Sequence, residues 1–148
     1  MAADPNSELE LKETTDFVSM KNLALNSGLE DGAYNDFAKA FGFFDGKELV
    51  ACAGLKVQGK AFFLECVAVK ESLRGRGLGR RLVAVLEEEA RKRGASEIWA
   101  LARAPAFFER VGYRRVSEGV PGGPNLTSCL SCRQYLRNCN PSIVLKAL

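Results

Sequence analysis

The run Ala61-Phe-Phe-Leu-Glu-Cys-Val-Ala-Val69, then Arg74-Gly-Arg-Gly-Leu-Gly-Arg80, then an amphipathic stretch ending at Gly94, decides the fold. The first part is apolar or β-branched at nearly every position, Glu65 being the exception, and reads as a buried strand. From about Gly77 the residues Leu78, Leu82, Val83, Leu86 and Ala90 recur on one helical face. The other side, away from the buried stripe, carries Arg80, Arg81, Glu87, Glu88, Arg91 and Lys92, and Gly94 is placed to stop the helix.

The turn between strand and helix makes a chemical statement. Glycines at 75, 77 and 79 let backbone approach a ligand closely. The helix that follows leaves its first N–H groups unpaired and adds the positive end of its dipole. That combination suits a pyrophosphate, and Arg74, Arg76, Arg80 and Arg81 add further positive charge. A dinucleotide fingerprint would need glycine where Arg80 stands, and the P-loop ending G-K-[ST] is missing. What remains is R-x-x-G-x-G over Arg74 to Gly79.

At that motif the chain resembles the GCN5-related N-acetyltransferases (GNAT), in which the loop holds the pyrophosphate of acetyl-coenzyme A. A second segment, Ala104-Pro-Ala-Phe-Phe-Glu-Arg-Val-Gly-Tyr113, resembles the family's short helix leading into Gly-Phe or Gly-Tyr. Together the family-like segments cover about Val50 to Val116. The resemblance implies one α/β domain over residues 1–148. Its expected form is a mixed, twisted sheet of six to seven strands flanked by helices and split at the central strand.

It also implies a site. Backbone of Cys66, Val67, Ala68 and Val69 would hold the pantetheine arm, with the Val67 N–H facing the thioester oxygen. Arg74, Gly75, Arg76, Gly77, Leu78, Gly79 and Arg80 would hold the pyrophosphate, and Phe107 and Phe108 would complete the cosubstrate site. Glu65 stands where several relatives keep a carboxylate as base, directly or through water, for the incoming ammonium; an exposed or paired strand residue is the alternative. The family's usual acid, a tyrosine, is replaced by Phe108. A coenzyme A thiol, with a pKa of roughly 8.5, leaves without full protonation. Tyr34, Tyr113 and Tyr135 are the available substitutes, and spacing selects none of them.

Cys52-Ala-Gly-Leu55, the arginine-glycine loop and the Phe-Phe-Glu helix further resemble the acetyltransferase domain of N-acetylglutamate synthases. The long synthases carry an amino-acid-kinase domain that is not in this sequence, so a short, stand-alone form is implied. The implied reaction is acetyl transfer to the α-amino group of an amino acid such as glutamate. Its carboxylate needs a cation, for which Arg103, Arg114 and Lys56 are candidates. Another metabolite or protein amine, or a coenzyme-A-binding sensor without turnover, are the competing readings.

The rest of the chain fits one globular unit. It has 148 residues, 47% apolar and 26% charged, with a net charge of +3 too small to argue for nucleic acid. No apolar run approaches a membrane span and no signal peptide is evident, so a cytoplasmic protein with a small-molecule amine as partner is expected. A homodimer is compatible with the sequence.

Residues 1–7 read as a disordered lead-in, Glu8 to Glu13 as a first strand, and Thr14 or Thr15 as the cap of a helix bearing Phe17, Met20, Leu23 and Ala24. Leu29 to Asp36 reads as a loop or a second helix. Ala40 to Phe44 and Leu49 to Val57 form a hairpin about Asp45-Gly46. A three-residue turn at Gln58-Gly59-Lys60 would set Cys52 opposite Cys66 and Ala53 opposite Glu65, with both thiols reduced core residues. Glu97 to Ala102 is expected to run parallel to the central strand, followed by a helix over Ala104 to Arg110 and a strand from Tyr113 to Ser117. The segment 119–148 holds Cys129, Cys132 and Cys139 before a last strand, Ile143 to Leu148. Structural zinc, a disulfide and unligated thiols are all open for those three cysteines, and no metal site is assigned.

Overall fold

A computed structural model describes residues 8–26, 37–102, 105–116 and 142–148. In chain order these form β1 (Glu10–Glu13), α1 (Phe17–Asn26), β2 (Lys39–Asp45), β3 (Glu48–Gln58) and β4 (Ala61–Val69). There follow α2 (Leu78–Lys92), β5 (Glu97–Ala102), α3 (Pro105–Arg110), β6 (Arg114–Val116) and β7 (Ser142–Ala147). The readings placed on Leu29 to Asp36, on Arg103, Tyr34 and Tyr135 and on the three C-terminal cysteines lie outside the described residues.

The seven strands make one mixed sheet in the order β1-β2-β3-β4-β5-β7-β6. Strands β1 to β4 form an antiparallel meander, and β4 and β5 run parallel across the α2 crossover, as expected from the apolar strand–helix–strand pattern. Strand β7 enters between β5 and β6, antiparallel to both.

The β3–β4 register differs from expectation. The turn has two residues, Gly59 and Lys60, with Gln58 opposite Ala61, so Glu65 faces Gly54 and not Ala53. The register then shifts between Cys52 and Gly54, and Cys52 faces Ala68. Cys66 and Val67 together stand against Ala53, which is a β-bulge. Cys66 has φ +58°, the left-handed region, at a cost of roughly 1–2 kcal/mol for a residue with a Cβ. Thiols brace the kink: Cys52 Sγ donates to the Cys66 carbonyl at 3.4 Å, and Cys66 Sγ to the Met20 carbonyl at 3.7 Å.

One face of the sheet packs on α2. Leu78, Leu82, Val83, Leu86 and Ala90, the expected stripe, meet Phe43, Ala51, Leu55, Leu64 and Ile98. The other face takes Met20, Leu23 and Ala24 of α1 with Phe37, Cys52 and Cys66. Asp16, and not Thr14 or Thr15, caps α1. Its carboxylate accepts from the Ser19 N–H at 3.1 Å and the Ser19 hydroxyl at 2.6 Å. The Ser19 hydroxyl first, then the Ser19 N–H, hold that carboxyl below its ordinary range.

Glu87 corrects the sequence reading of α2. It stands off the apolar stripe yet is buried, because Tyr113 donates its hydroxyl at 2.8 Å and Lys146 Nζ donates at 3.1 Å. Lys146 also donates to the Val111 carbonyl at 3.1 Å, so one carboxylate joins α2 to β7 and to the turn after α3. Burial first, then the Glu87 charge, push the Tyr113 hydroxyl far above its ordinary value.

Candidate active site

The sheet is split where its two parallel strands meet. β4 and β5 pair only at Phe63 with Trp99 and Leu64 with Ala100, and no pairing continues from Glu65 to Val69. The bulge at Cys66 turns β4 at the start of the split, leaving backbone groups of Glu65, Cys66, Val67, Ala68 and Val69 without a β5 partner. Such an edge holds an extended ligand by main-chain hydrogen bonds. Val67 and Val69 turn part of their side chains to the α2 core, so what they offer the split is backbone.

The glycine loop lies directly beyond. Lys70 leads into a single 3₁₀ turn, Glu71–Leu73, and Arg74 Nε returns to the Val69 carbonyl at 3.3 Å. Gly75 and Gly77 have φ +80° and +79°, and Gly77 is the N-cap of α2 with no side-chain cap. The first intrahelical bond runs from Arg81 N–H to the Gly77 carbonyl, so the N–H groups of Leu78, Gly79 and Arg80 point out of the helix end. A Cβ on Gly79 would come within 3.2 Å of the Phe107 ring and 3.8 Å of Val69. Loop, split strand and α3 thus converge there, with the first N–H groups of α2 outside its hydrogen-bond ladder and little room for side chains. These donors and this shape fit a pyrophosphate on an extended arm.

The cations are divided. Arg74 and Arg80 remain at the loop, and Arg80 lines a groove of about 390 Å³ with Arg110 and Lys146. Arg81 is turned away, its guanidinium 4.8 Å from the Phe43 ring centre. Arg76, on the loop between the two positive-φ glycines, is exposed.

Phe107 is half-buried against the loop, whereas Phe108 is buried in the main core, edge-on to Tyr113 at 5.3 Å. The Tyr113 hydroxyl is committed to Glu87 and its proton is tightly held, so it is no acid for this site.

Glu65 lies on the α1 face, immediately before the bulge. Its Oε2 is 2.8 Å from Lys56 Nζ; the Lys56 side chain is 9% exposed and that of Glu65 27%. Lys56 Nζ also lies 5.3 Å from the centre of the Phe37 ring, which sits edge-on to Phe17. Phe37 lies so close over Gly54 that a Cβ there would be 2.3 Å from the ring. Sequence reasoning missed Phe37, which stands one residue before the alternating β pattern and far in the chain from its contacts. The Cys52 thiol is pushed up by its contact with Cys66 and then by burial, and acts as packing, not as a nucleophile.

Comparison with known proteins agrees with this geometry. The sequence pattern described as the Acetyltransferase (GNAT) family matches residues 7–113, well over half the chain. An uncharacterized N-acetyltransferase of Chlorobaculum tepidum is 26% identical over 105 residues, covering 71% of this chain and 67% of that protein. N-acetylglutamate synthase from Neisseria gonorrhoeae, complexed with coenzyme A and N-acetyl-glutamate, superposes with TM-score 0.71 at 18% identity. That match covers 94% of this chain and 35% of the synthase, so this chain spans about a third of the synthase's length. PaiA N-acetyltransferase from Thermoplasma acidophilum, in complex with coenzyme A, gives TM-score 0.66 at 14% identity over 95% of this chain and 99% of that one. At these identities the structures speak for the fold, and the matched pattern speaks for the family. With the split strand, the bulge and the R-x-x-G-x-G loop all in place, the chain belongs to the GNAT acetyltransferase family, whose cosubstrate is acetyl-coenzyme A.

Proposed function

We propose that this protein transfers the acetyl group of acetyl-coenzyme A to the α-amino group of an amino acid, glutamate being the first candidate. The observation that carries the reading is the bulge at Cys66. It stands beside the glycine loop where the recorded β4–β5 pairing stops, and Glu65 is the residue immediately before it on β4. The likeness to the Neisseria synthase, bound there to coenzyme A and N-acetyl-glutamate, supports the choice of acceptor.

Acetyl-coenzyme A supplies an activated thioester. Backbone from Cys66 to Val69 holds the arm, and the Val67 N–H is the proposed donor to the thioester oxygen. The loop from Arg74 to Arg80 holds the pyrophosphate, with Phe107 packed behind it. Phe108 supports α3 from the core. Glu65 receives the proton that the acceptor ammonium must lose before it attacks. No side chain among the described residues of the site is assigned as acid.

Release of free thiol from acetyl-coenzyme A against amino acids, polyamines and peptides tests the reading, with Glu65→Gln alongside. Turnover with glutamate or a close relative, falling about a hundredfold or more in the variant, is the expected result. Tight coenzyme A binding with no thiol release on any amine would overturn it in favour of a sensor.

A further inference from the structure

We infer that Lys56 reads the carboxylate of the acceptor, and that the Lys56–Glu65 pair is the resting form of contacts completed by a zwitterionic α-amino acid. The inference rests on the acetyltransferase reading and narrows it. Three cations are candidates in the sequence, and the structure separates them. Arg103 lies outside the described residues. Arg114 is exposed on β6, at the far edge of the sheet, with β5 and β7 between it and the split strand. Lys56 is on β3, the direct neighbour of β4, and touches Glu65 at 2.8 Å.

Its setting is unusual for a lysine. The side chain is 9% exposed, with its ammonium between a carboxylate and the face of Phe37, on a strand whose neighbouring side chains are apolar. A buried ion pair gains little over an apolar pair of similar volume, because both charges lose their water. Stability therefore does not account for a lysine in this place, whereas recognition of a charged ligand does.

The charges also select the ligand. The nitrogen and carboxylate of an α-amino acid are about 3 Å apart across one carbon, close to the spacing of the Lys56–Glu65 pair. Such a ligand sets its ammonium on Glu65 and its carboxylate on Lys56, giving an alternating ring of four charges with no net change. A plain amine, or an amino acid whose carboxylate is an amide, places a second cation on Glu65 and leaves Lys56 facing it in a medium that screens poorly. The site should reject those acceptors.

The test compares α-amino acids with their α-carboxamides in the thiol-release assay, using the whole protein, Lys56→Met and Lys56→Arg. The unaltered enzyme is expected to favour the acid over its amide by roughly ten- to a hundredfold in kcat/KM, the scale of one charge-assisted hydrogen bond. Lys56→Met should lose that ratio to within about threefold of unity, largely through KM, and Lys56→Arg should keep most of it. Unchanged coenzyme A binding shows that the variants are folded. Equal use of acid and amide by the unaltered enzyme overturns the inference without any variant. A folded Lys56→Met that keeps the preference overturns it by placing the carboxylate elsewhere. Turnover confined to amines without an α-carboxylate would instead defeat the acceptor class itself.

Discussion

Removing Lys146 tests how the helix that carries the glycine loop is anchored. The Glu87 side chain is 7% exposed and that of Lys146 26%, so Lys146→Met leaves a carboxylate in the interior with only Tyr113 to donate to it. Breaking a buried pair costs roughly 3–5 kcal/mol, and the quarter exposure of Lys146 places this case near the lower end, about 3 kcal/mol. For a chain of this length each kcal/mol moves the melting midpoint by roughly 2–4 °C, so a fall of about 6–12 °C is expected. Adding Glu87→Gln removes the orphaned charge and keeps an oxygen for Tyr113. The double variant should therefore recover at least about 1.5 kcal/mol of the loss. Urea unfolding of the four proteins closes the cycle. A coupling below about 0.5 kcal/mol would refute the reasoning, because the lysine would then act through packing or the Val111 carbonyl alone.

Other outcomes follow from local geometry. Gly54→Ala sets a Cβ into the Phe37 ring and should cost about 1–3 kcal/mol in urea unfolding, while also weakening the hold of Phe37 on Lys56. Gly77→Val demands φ +79° from a β-branched residue and should weaken coenzyme A binding, measured by calorimetry, more than it lowers the melting midpoint. Asp16 is held below its ordinary pKa, so its stabilising effect is present above the unfolded value near pH 4 and is lost as pH falls through the lower folded value. The melting difference between the wild type and Asp16→Ala should accordingly narrow on acidification. Tyr113 is pushed the other way: its ionisation band should be missing from an ultraviolet titration of the folded protein, and Tyr113→Phe should leave that titration unchanged.

The fold was legible because its central unit is local. The strand, the glycine loop and the stripe Leu78, Leu82, Val83, Leu86 and Ala90 are contiguous, and their periods leave few topologies. What escaped depends on contacts made across the chain. The bulge was invisible because Cys66 takes a left-handed φ with no glycine to announce it; the two-residue turn moves the partner of Cys52 from Cys66 to Val67, and the extra residue at the bulge moves it on to Ala68. Glu87 looked to stand away from the buried face because its partners, Tyr113 and Lys146, stand 26 and 59 residues away. The loop and Glu65 were readable as candidates from residue type and spacing alone. The ion pair with Lys56 was not, since it depends on the strand register, and the two-residue turn at Gly59-Lys60 set that one residue from the expected one.

The insertion of β7 between β5 and β6 has a consequence for the protein during its own synthesis. Strand β6 leaves the ribosome before β7 and, among the described residues, pairs with β7 alone, so residues 114–116 must wait for residues 142–147. At roughly 5–20 residues per second that delay is on the order of one to a few seconds. Throughout it β5, with Ile98 and Trp99, presents an open strand edge beside an already formed meander. The nascent chain is most exposed to mispairing in that interval, and an early strand-binding chaperone would protect it there.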